Sequence, residues 1–398
     1  MRRRTIEAGI IFVVAAAIRV AYWLATPPVH ASDSAGYLET ARAVTSGHWG
    51  GLVRFPFHAA YALLLAPAFW HGEHVRVYVA VLHIVLSSAS VVCLWAITRQ
   101  LTADSLAPIL AAACGAVYPN LLFWMPYILT ETAFVFVLLA SVWTLLNFLA
   151  DVSGRRAALV VLAGGCLFFL RPVALLLVAC GTVVIATSWA RRFAPLSARR
   201  VMMWTSVAVV AVGVLPWSIP SSRAALVRIP TIAQTLWLST LVVHGTQAEI
   251  SRAATPVGVR EWPDSEQYAY KADAAGRFIR EHPIQYLEMG VRRFVSFWTP
   301  WWYLDWSTRH RAIDATLSLS LIVAACCAPL FGAKRSAWAV LLGFALLLAC
   351  ESAFGQIDAD GRYRLPAEVL LIAPAAATVA GLLRSLRRSN PSMARVPA

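Results

Sequence analysis

Ile10-Ile11-Phe12-Val13-Val14-Ala15-Ala16-Ala17-Ile18-Arg19-Val20-Ala21-Tyr22-Trp23-Leu24 is an apolar run with a single charge, and its reading decides the fold. Extended to residues 8–25 as a helix, it can cross a hydrocarbon core of about 30 Å, which asks for roughly 17–25 apolar residues. Comparable runs recur at 75–98, 105–124, 128–149, 157–171, 173–190, 201–219, 312–331, 336–353 and 366–383. The 398 residues are 59% hydrophobic, with a mean hydropathy of +0.66, which excludes an ordinary soluble enzyme. A strand barrel would instead show short alternating segments separated by turns. The expectation is an all-α polytopic membrane protein with about ten transmembrane helices.

The net charge of +14 is distributed unevenly. Ten spans place both termini on one side, and that side holds Arg2, Arg3, Arg4, Arg99, Arg155, Arg156, Arg191, Arg192, Arg199, Arg200, Lys334, Arg335, Arg384, Arg387, Arg388 and Arg395. Against these 16 basic residues stand only Glu7, Asp104 and Asp151, so nearly all the excess lies on one face. Lys/Arg enrichment marks the cytoplasmic side. The charge therefore reports topology and anionic lipid rather than nucleic acid. It implies a cytoplasmic (inner) membrane protein with both termini inside. The first run lacks a clean small-residue cleavage site before Arg19 and Tyr22, so it reads as an uncleaved span. Seven cysteines are scattered through the apolar runs without metal or disulfide spacing.

Three longer segments then lie outside, and they divide the chain into an N-terminal transmembrane module (1–219), an extracytoplasmic segment (220–311) and C-terminal transmembrane helices with a basic tail (312–398). In the first outer loop, 26–74, Tyr37, Leu38, Ala41 and Val44 fall at the spacing of a short interfacial helix beginning at Asp33. Phe57 to Trp70 is too short for a span and reads as re-entrant or surface-lying. His30, His48, His58, His71 and His74 share this loop, with no metal-motif spacing. The second segment has soluble-like composition and a helical pattern from Gln267 to Arg293, broken at His282-Pro283. The aromatic run Phe297-Trp298-Thr299-Pro300-Trp301-Trp302-Tyr303 reads as an interface belt or a sugar-stacking platform, and Lys271 as a surface residue. The third outer segment, 351–366, carries Asp358, Asp360, Arg362, Tyr363 and Arg364.

Ionisable residues near span ends gather on the outer face: Arg19, Asp33, Glu131, Arg171, Arg362 and Arg364. Charges at membrane depth are costly and face a cavity or each other. Glu131 and Arg171 fit either a buried ion pair or a site for an anionic, lipid-linked substrate. Transfer from a lipid phosphate would use these residue types. A carboxylate, Asp33, takes the proton of an acceptor hydroxyl. Arg362 and Arg364 clamp the phosphate, and Asp33 with Glu131 can hold a divalent cation (Mg, Mn or Zn).

These residues carry a resemblance. The chain is similar to the GT-C class of polyprenyl-phosphate-sugar-dependent glycosyltransferases, which contains protein O-mannosyltransferases and lipid A aminoarabinose transferases. The matching pieces are Asp33-x3-Tyr37-x3-Ala41, Tyr118-Pro119 followed by Thr130-Glu131, Leu170-Arg171-Pro172, Leu215-Pro216-Trp217, Ile279 through Pro283 with Tyr286-Leu287, Arg293 and Phe297-Trp298, and Arg362-Tyr363-Arg364-Leu365-Pro366. No single piece is specific, but their order runs over nearly the whole length. The resemblance implies an integral membrane glycosyltransferase, hexosyl or pentosyl, with Asp33 catalytic and Glu131 as its acidic companion. Its donor would be a polyprenyl-phosphate sugar, and Arg19, Tyr37, Arg171, Arg362, Tyr363 and Arg364 would be substrate-binding. Many relatives carry an acidic pair in the first loop, whereas Asp33 is followed by Ser34, and Glu39 reads as solvated. The short chain, without a soluble C-terminal domain, favours a lipid-linked or glycan acceptor. A polyprenyl-diphosphate ligase or polymerase would not need Asp33, and a lipid-linked sugar flippase would need charges at the midplane of broken helices.

Overall fold

The computed structural model describes residues 2–26, 29–31, 33–50, 52, 59–70, 75–171, 174–193, 230–243, 255–299, 308–355 and 362–389. The expected span 201–219, with Leu215-Pro216-Trp217, lies outside them, as do His58, His71, His74, Asp358, Asp360 and residues 300–303 of the aromatic run. The described residues are helical, with one isolated bridge between Val29 and Tyr127. In chain order the helices are α1 (Arg2–Ala25), α2 (Ser34–Thr45), α3 (Ala59–Leu65), α4 (Val75–Leu101), α5 (Leu106–Val117), α6 (Pro119–Phe123), α7 (Glu131–Ala150), α8 (Gly154–Leu170) and α9 (Ala174–Phe193). They continue with α10 (Pro230–Leu241), α11 (Asp264–Glu281), α12 (Pro283–Trp298), α13 (Thr308–Cys327), α14 (Arg335–Gly355) and α15 (Leu365–Ser389).

Among the described residues, six helical segments are long and apolar enough to cross a membrane: Arg3–Ala25, Val75–Leu101, Glu131–Ala150, Ala312–Phe331, Arg335–Phe354 and Leu365–Ser389. The chain is thus an all-α, multi-pass membrane protein. Of the remaining expected spans, 105–124 divides in two. Pro119 has no N–H for the helical ladder, so α5 stops at Val117, Tyr118 turns extended and Pro119 opens α6.

The chain forms two compact units. Unit one comprises Met1–Gly181, Leu321–Ala345 and Leu365–Ala398. At its centre, α4 packs against α1, α5, α7 and α15. The small side chains of Ser87, Ser88 and Ser90 are buried there, and small residues let membrane helices approach closely. Two contacts set α1 and α4 antiparallel. Arg19 Nε donates to Ser87 Oγ at 2.6 Å, and twelve residues away on each helix Arg99 Nη1 meets Glu7 Oε2 at 3.1 Å.

Arg19 is fully buried and answers the proline break. Its Nη2 donates to the Gly115 carbonyl, the acceptor that an N–H at position 119 would have served, and its Nη1 donates to the carbonyls of Ala116 and Ala15, each at 3.2 Å. One guanidinium therefore joins α1, α4 and the end of α5. The same ladder gives unit one two chemically distinct ends. The end holding Glu7 and Arg99 also holds the pairs Arg384–Asp104 (2.7 Å) and Arg156–Asp151 (3.1 Å), while Asp33, Glu131 and Arg171 lie at the other ends of their helices.

Unit two comprises Thr182–Ser320 and Leu346–Arg364. Here α10 packs on α11, and Arg293 of α12 donates to the carbonyls of Ser239 (2.7 Å) and Val242 (2.9 Å) at the end of α10. Lys271, expected at the surface, is buried and donates to Gln234 Oε1 at 2.7 Å, because α10 covers its side of α11. Helix α12 buries Gly290, Arg293, Phe297 and Trp298, and leaves Ile284, Leu287, Val291 and Val295 exposed along another face.

Close packing against α15 is testable at Gly381. A Cβ there would lie 2.5 Å from Phe331 Cβ, the root of that side chain, which cannot swing aside. The helix-propensity gain of alanine is about 1 kcal/mol, and overpacking costs roughly 1–3 kcal/mol. Gly381→Ala should therefore lower the thermal unfolding temperature in detergent. Gly343→Ala, whose Cβ meets nothing within 4 Å, should not.

Candidate active site

Asp33 precedes α2 and is half-buried; its carboxylate makes no capping bond to the first turn of that helix. The backbone around it is held from both sides. The Val29 N–H donates to the Pro126 carbonyl at 3.1 Å, and the Ile128 N–H returns to the Val29 carbonyl at 3.2 Å. Ser34 Oγ accepts from the Ala31 N–H and donates to the Ile128 carbonyl, both at 2.9 Å. Ser34 is thus a buried tie. It holds the loop bearing Asp33 to the segment that leads into Glu131.

Glu131 and Arg171 form a buried ion pair at 3.1 Å, with side chains only 1% and 4% exposed. Glu131 sits in the first turn of α7, where a carboxylate is favoured by the helix dipole. Arg171 follows α8, and its guanidinium lies 5.6 Å from the Phe134 ring centre. Of the two readings that the sequence allows for these residues, the geometry contains the ion pair.

Beside the pair runs a polar chain that the sequence reading did not single out. Tyr37 packs edge-on against Tyr61, ring centres 5.3 Å apart. The Tyr61 hydroxyl is 3.0 Å from His83 Nε2, and His83 Nδ1 is 2.8 Å from the Met125 carbonyl. A carbonyl only accepts, so Nδ1 carries the proton and Nε2 receives the tyrosine hydroxyl. Burial pushes the Tyr61 hydroxyl well above its ordinary pKa, with the Glu131 charge adding to the shift, so it remains a donor. The available signal was His83 itself, the lone ionisable residue in the middle of the 75–98 run. Glu368 was likewise passed over. It is fully buried in the first turn of α15 and accepts from Asn120 Nδ2 at 2.7 Å.

The structure thus brings Asp33, Tyr37, Glu131 and Arg171 to one end of unit one. Arg19 lies deeper, among the carbonyls of α5. Arg362, Tyr363 and Arg364 belong to unit two. There Arg362 Nη2 donates to the Tyr363 hydroxyl at 3.1 Å. Arg364 is fully buried, paired with Asp314 and donating to the Phe297 carbonyl at 3.3 Å. Among the described residues, no three His, Cys, Asp or Glu side chains gather as metal ligands. With Glu131 held by Arg171, Asp33 and Glu131 do not by themselves fit a divalent cation.

No family model and no curated protein sequence matches the chain. Solved structures do. The apo form of the Archaeoglobus fulgidus oligosaccharyltransferase superposes with a TM-score of 0.50 at 13% identity, over 96% of this chain and 52% of that one. The chain shares its fold with that oligosaccharyltransferase. The complex of the same protein with Zn and sulfate gives a TM-score of 0.49 at 15% identity, over 94% and 51%. The chain spans about half the length of these structures. The GT-C resemblance drawn from sequence motifs therefore holds at the level of the fold.

The buried pair has a measurable signature. Removing one partner of a buried ion pair costs about 3–5 kcal/mol, whereas replacing both by apolar residues is often neutral. Arg171→Met and Glu131→Leu should each lower the unfolding temperature strongly, and the double variant should lose less than the sum. Additive losses would show that the two side chains act independently.

Proposed function

We propose that this protein is an integral membrane glycosyltransferase of the GT-C type. It transfers a hexosyl or pentosyl group from a polyprenyl-phosphate donor to a lipid-linked or glycan acceptor, with Asp33 as general base. The observation that carries the reading is Asp33 itself, a half-buried carboxylate on a backbone braced by Ser34, Val29 and Ile128 at one end of a membrane bundle. The oligosaccharyltransferase fold supports the reaction class.

Asp33 takes the acceptor hydroxyl proton as that oxygen bonds to the anomeric carbon. The bond between the anomeric carbon and the phosphate oxygen breaks, and its electron pair leaves with the lipid phosphate. Charge growing on the phosphate needs cations or hydrogen-bond donors. Tyr37, Arg171 and Glu131 shape the wall behind Asp33. No step uses a metal ion.

Sidedness follows from the ends of unit one. Arg3, Arg99, Arg156 and Arg384 mark a basic end, which faces the cytoplasm by the positive-inside rule. On this reading both termini are cytoplasmic and Asp33 is extracytoplasmic, and the basic end supports it. The open apolar stripe of α12 suits a membrane surface, which accepts such helices without a protein partner.

Asp33→Asn tests the assignment, since it keeps the shape and removes the base. Transfer from a synthetic polyprenyl-phosphate sugar should fall by about 10²–10⁴, the usual contribution of a positioned general base, with the unfolding temperature unchanged. Turnover at the parent rate would refute the role.

A further inference from the structure

A cleft of about 640 Å³ opens beside α2 in unit one. Leu38, Glu39 and Arg42 line it from α2, and His30, Phe69 and Arg76 from neighbouring segments. Its first wall begins immediately past Asp33, because Ala35 also faces it. The volume falls in the range of about 300–1,000 Å³ typical of small-molecule sites. That accommodates one or two sugar rings and not a long prenyl chain.

The charges in this cleft differ in exposure from the arginines built into the core of the fold. Arg19, Arg171, Arg293 and Arg364 are buried within the fold, while Arg42 and Arg76 are exposed. The Arg42 guanidinium lies 5.3 Å from the centre of the Phe69 ring, so one wall presents a cation beside an aromatic face. Arg76 stands in the first turn of α4, which carries no acidic residue. A cation at a helix N-terminus opposes the dipole, whereas an anion there is favoured. An oxyanion between the α4 terminus and the two guanidinium groups would reverse that penalty.

We propose that this cleft binds the acceptor through an anionic saccharide. Its phosphate or carboxylate sits on Arg42 and Arg76, its ring lies against Phe69, and Glu39 accepts from its hydroxyl groups. That the occupant is the acceptor rests on the glycosyltransferase reading and on the cleft starting at the base. That the occupant is an anionic saccharide rests on the cleft alone.

The test is equilibrium binding to the purified full chain, read by intrinsic tryptophan fluorescence, without donor or turnover. Glucose 1-phosphate should bind at least about tenfold more tightly than either glucose or inorganic phosphate, and more weakly as salt rises. Arg42→Gln and Arg76→Gln should each weaken it by about tenfold, the scale of one charge-assisted hydrogen bond. Both variants should remain folded, because both side chains are exposed. Asp33→Asn should retain this binding while losing transfer, so binding without any transfer in the parent would defeat the enzyme reading and leave the cleft standing. Equal affinity for glucose would overturn the anion site, and equal affinity for inorganic phosphate would overturn the saccharide. Affinity kept in phosphatidylcholine nanodiscs but lost in phosphatidylglycerol ones would assign the cleft to a lipid headgroup and overturn the proposal. Unchanged binding in both arginine variants would overturn it as well.

Discussion

Pro119 has no N–H to give, and inside a membrane bundle that leaves the Gly115 carbonyl without its helical partner. Water cannot reach such a group in hydrocarbon, so protein must answer it. Arg19 does so from α1, and the same guanidinium reaches Ser87 on α4. The break in α5 is therefore what ties three helices together at one depth. Just beyond it, α6 and the turns after it bring Pro126 and Ile128 to the loop that follows α1. The placement of Asp33 descends from that proline.

Unit two shows the same solution. Arg293 donates to the carbonyls that close α10, and Arg364 to the Phe297 carbonyl near the end of α12. A guanidinium has five donors in a planar fork and stays charged under all ordinary conditions, so it can serve several carbonyls at once. Lysine could not, which fits a chain with 34 basic residues of which only Lys271 and Lys334 are lysines. The Glu131–Arg171 pair is the ionic version of this device, and its desolvation cost is tolerable only because the two charges lie 3.1 Å apart.

Apolar run length and the one-sided arginines made the membrane class legible in the sequence, and the order of short motifs made the fold legible. What stayed hidden was partnership across sequence distance. Tyr118-Pro119 was visible as a motif, but its effect, a carbonyl served by a residue 96 positions away, was not. Arg364 read as a phosphate ligand because nothing local announces Asp314, 50 residues earlier. Lys271 read as surface because its helix has soluble composition, and only the packing of α10 buries it. Tyr61 and His83 lie 22 residues apart on separate helices, so no spacing rule joins them.

Burial and partnership then sort the charges by task. An arginine or glutamate removed from water must be matched by the fold, and once matched it has little left to offer a substrate. Arg19, Glu131, Arg171 and Glu368 meet that description at or near the end of the bundle where chemistry is proposed. Asp33 differs in being only half-buried, and its backbone is fixed by neighbours that carry no charge. A base has to accept and release a proton without disturbing its support. The uncharged tie through Ser34 supplies that independence, which a second carboxylate at position 34 would have coupled to the titration of Asp33.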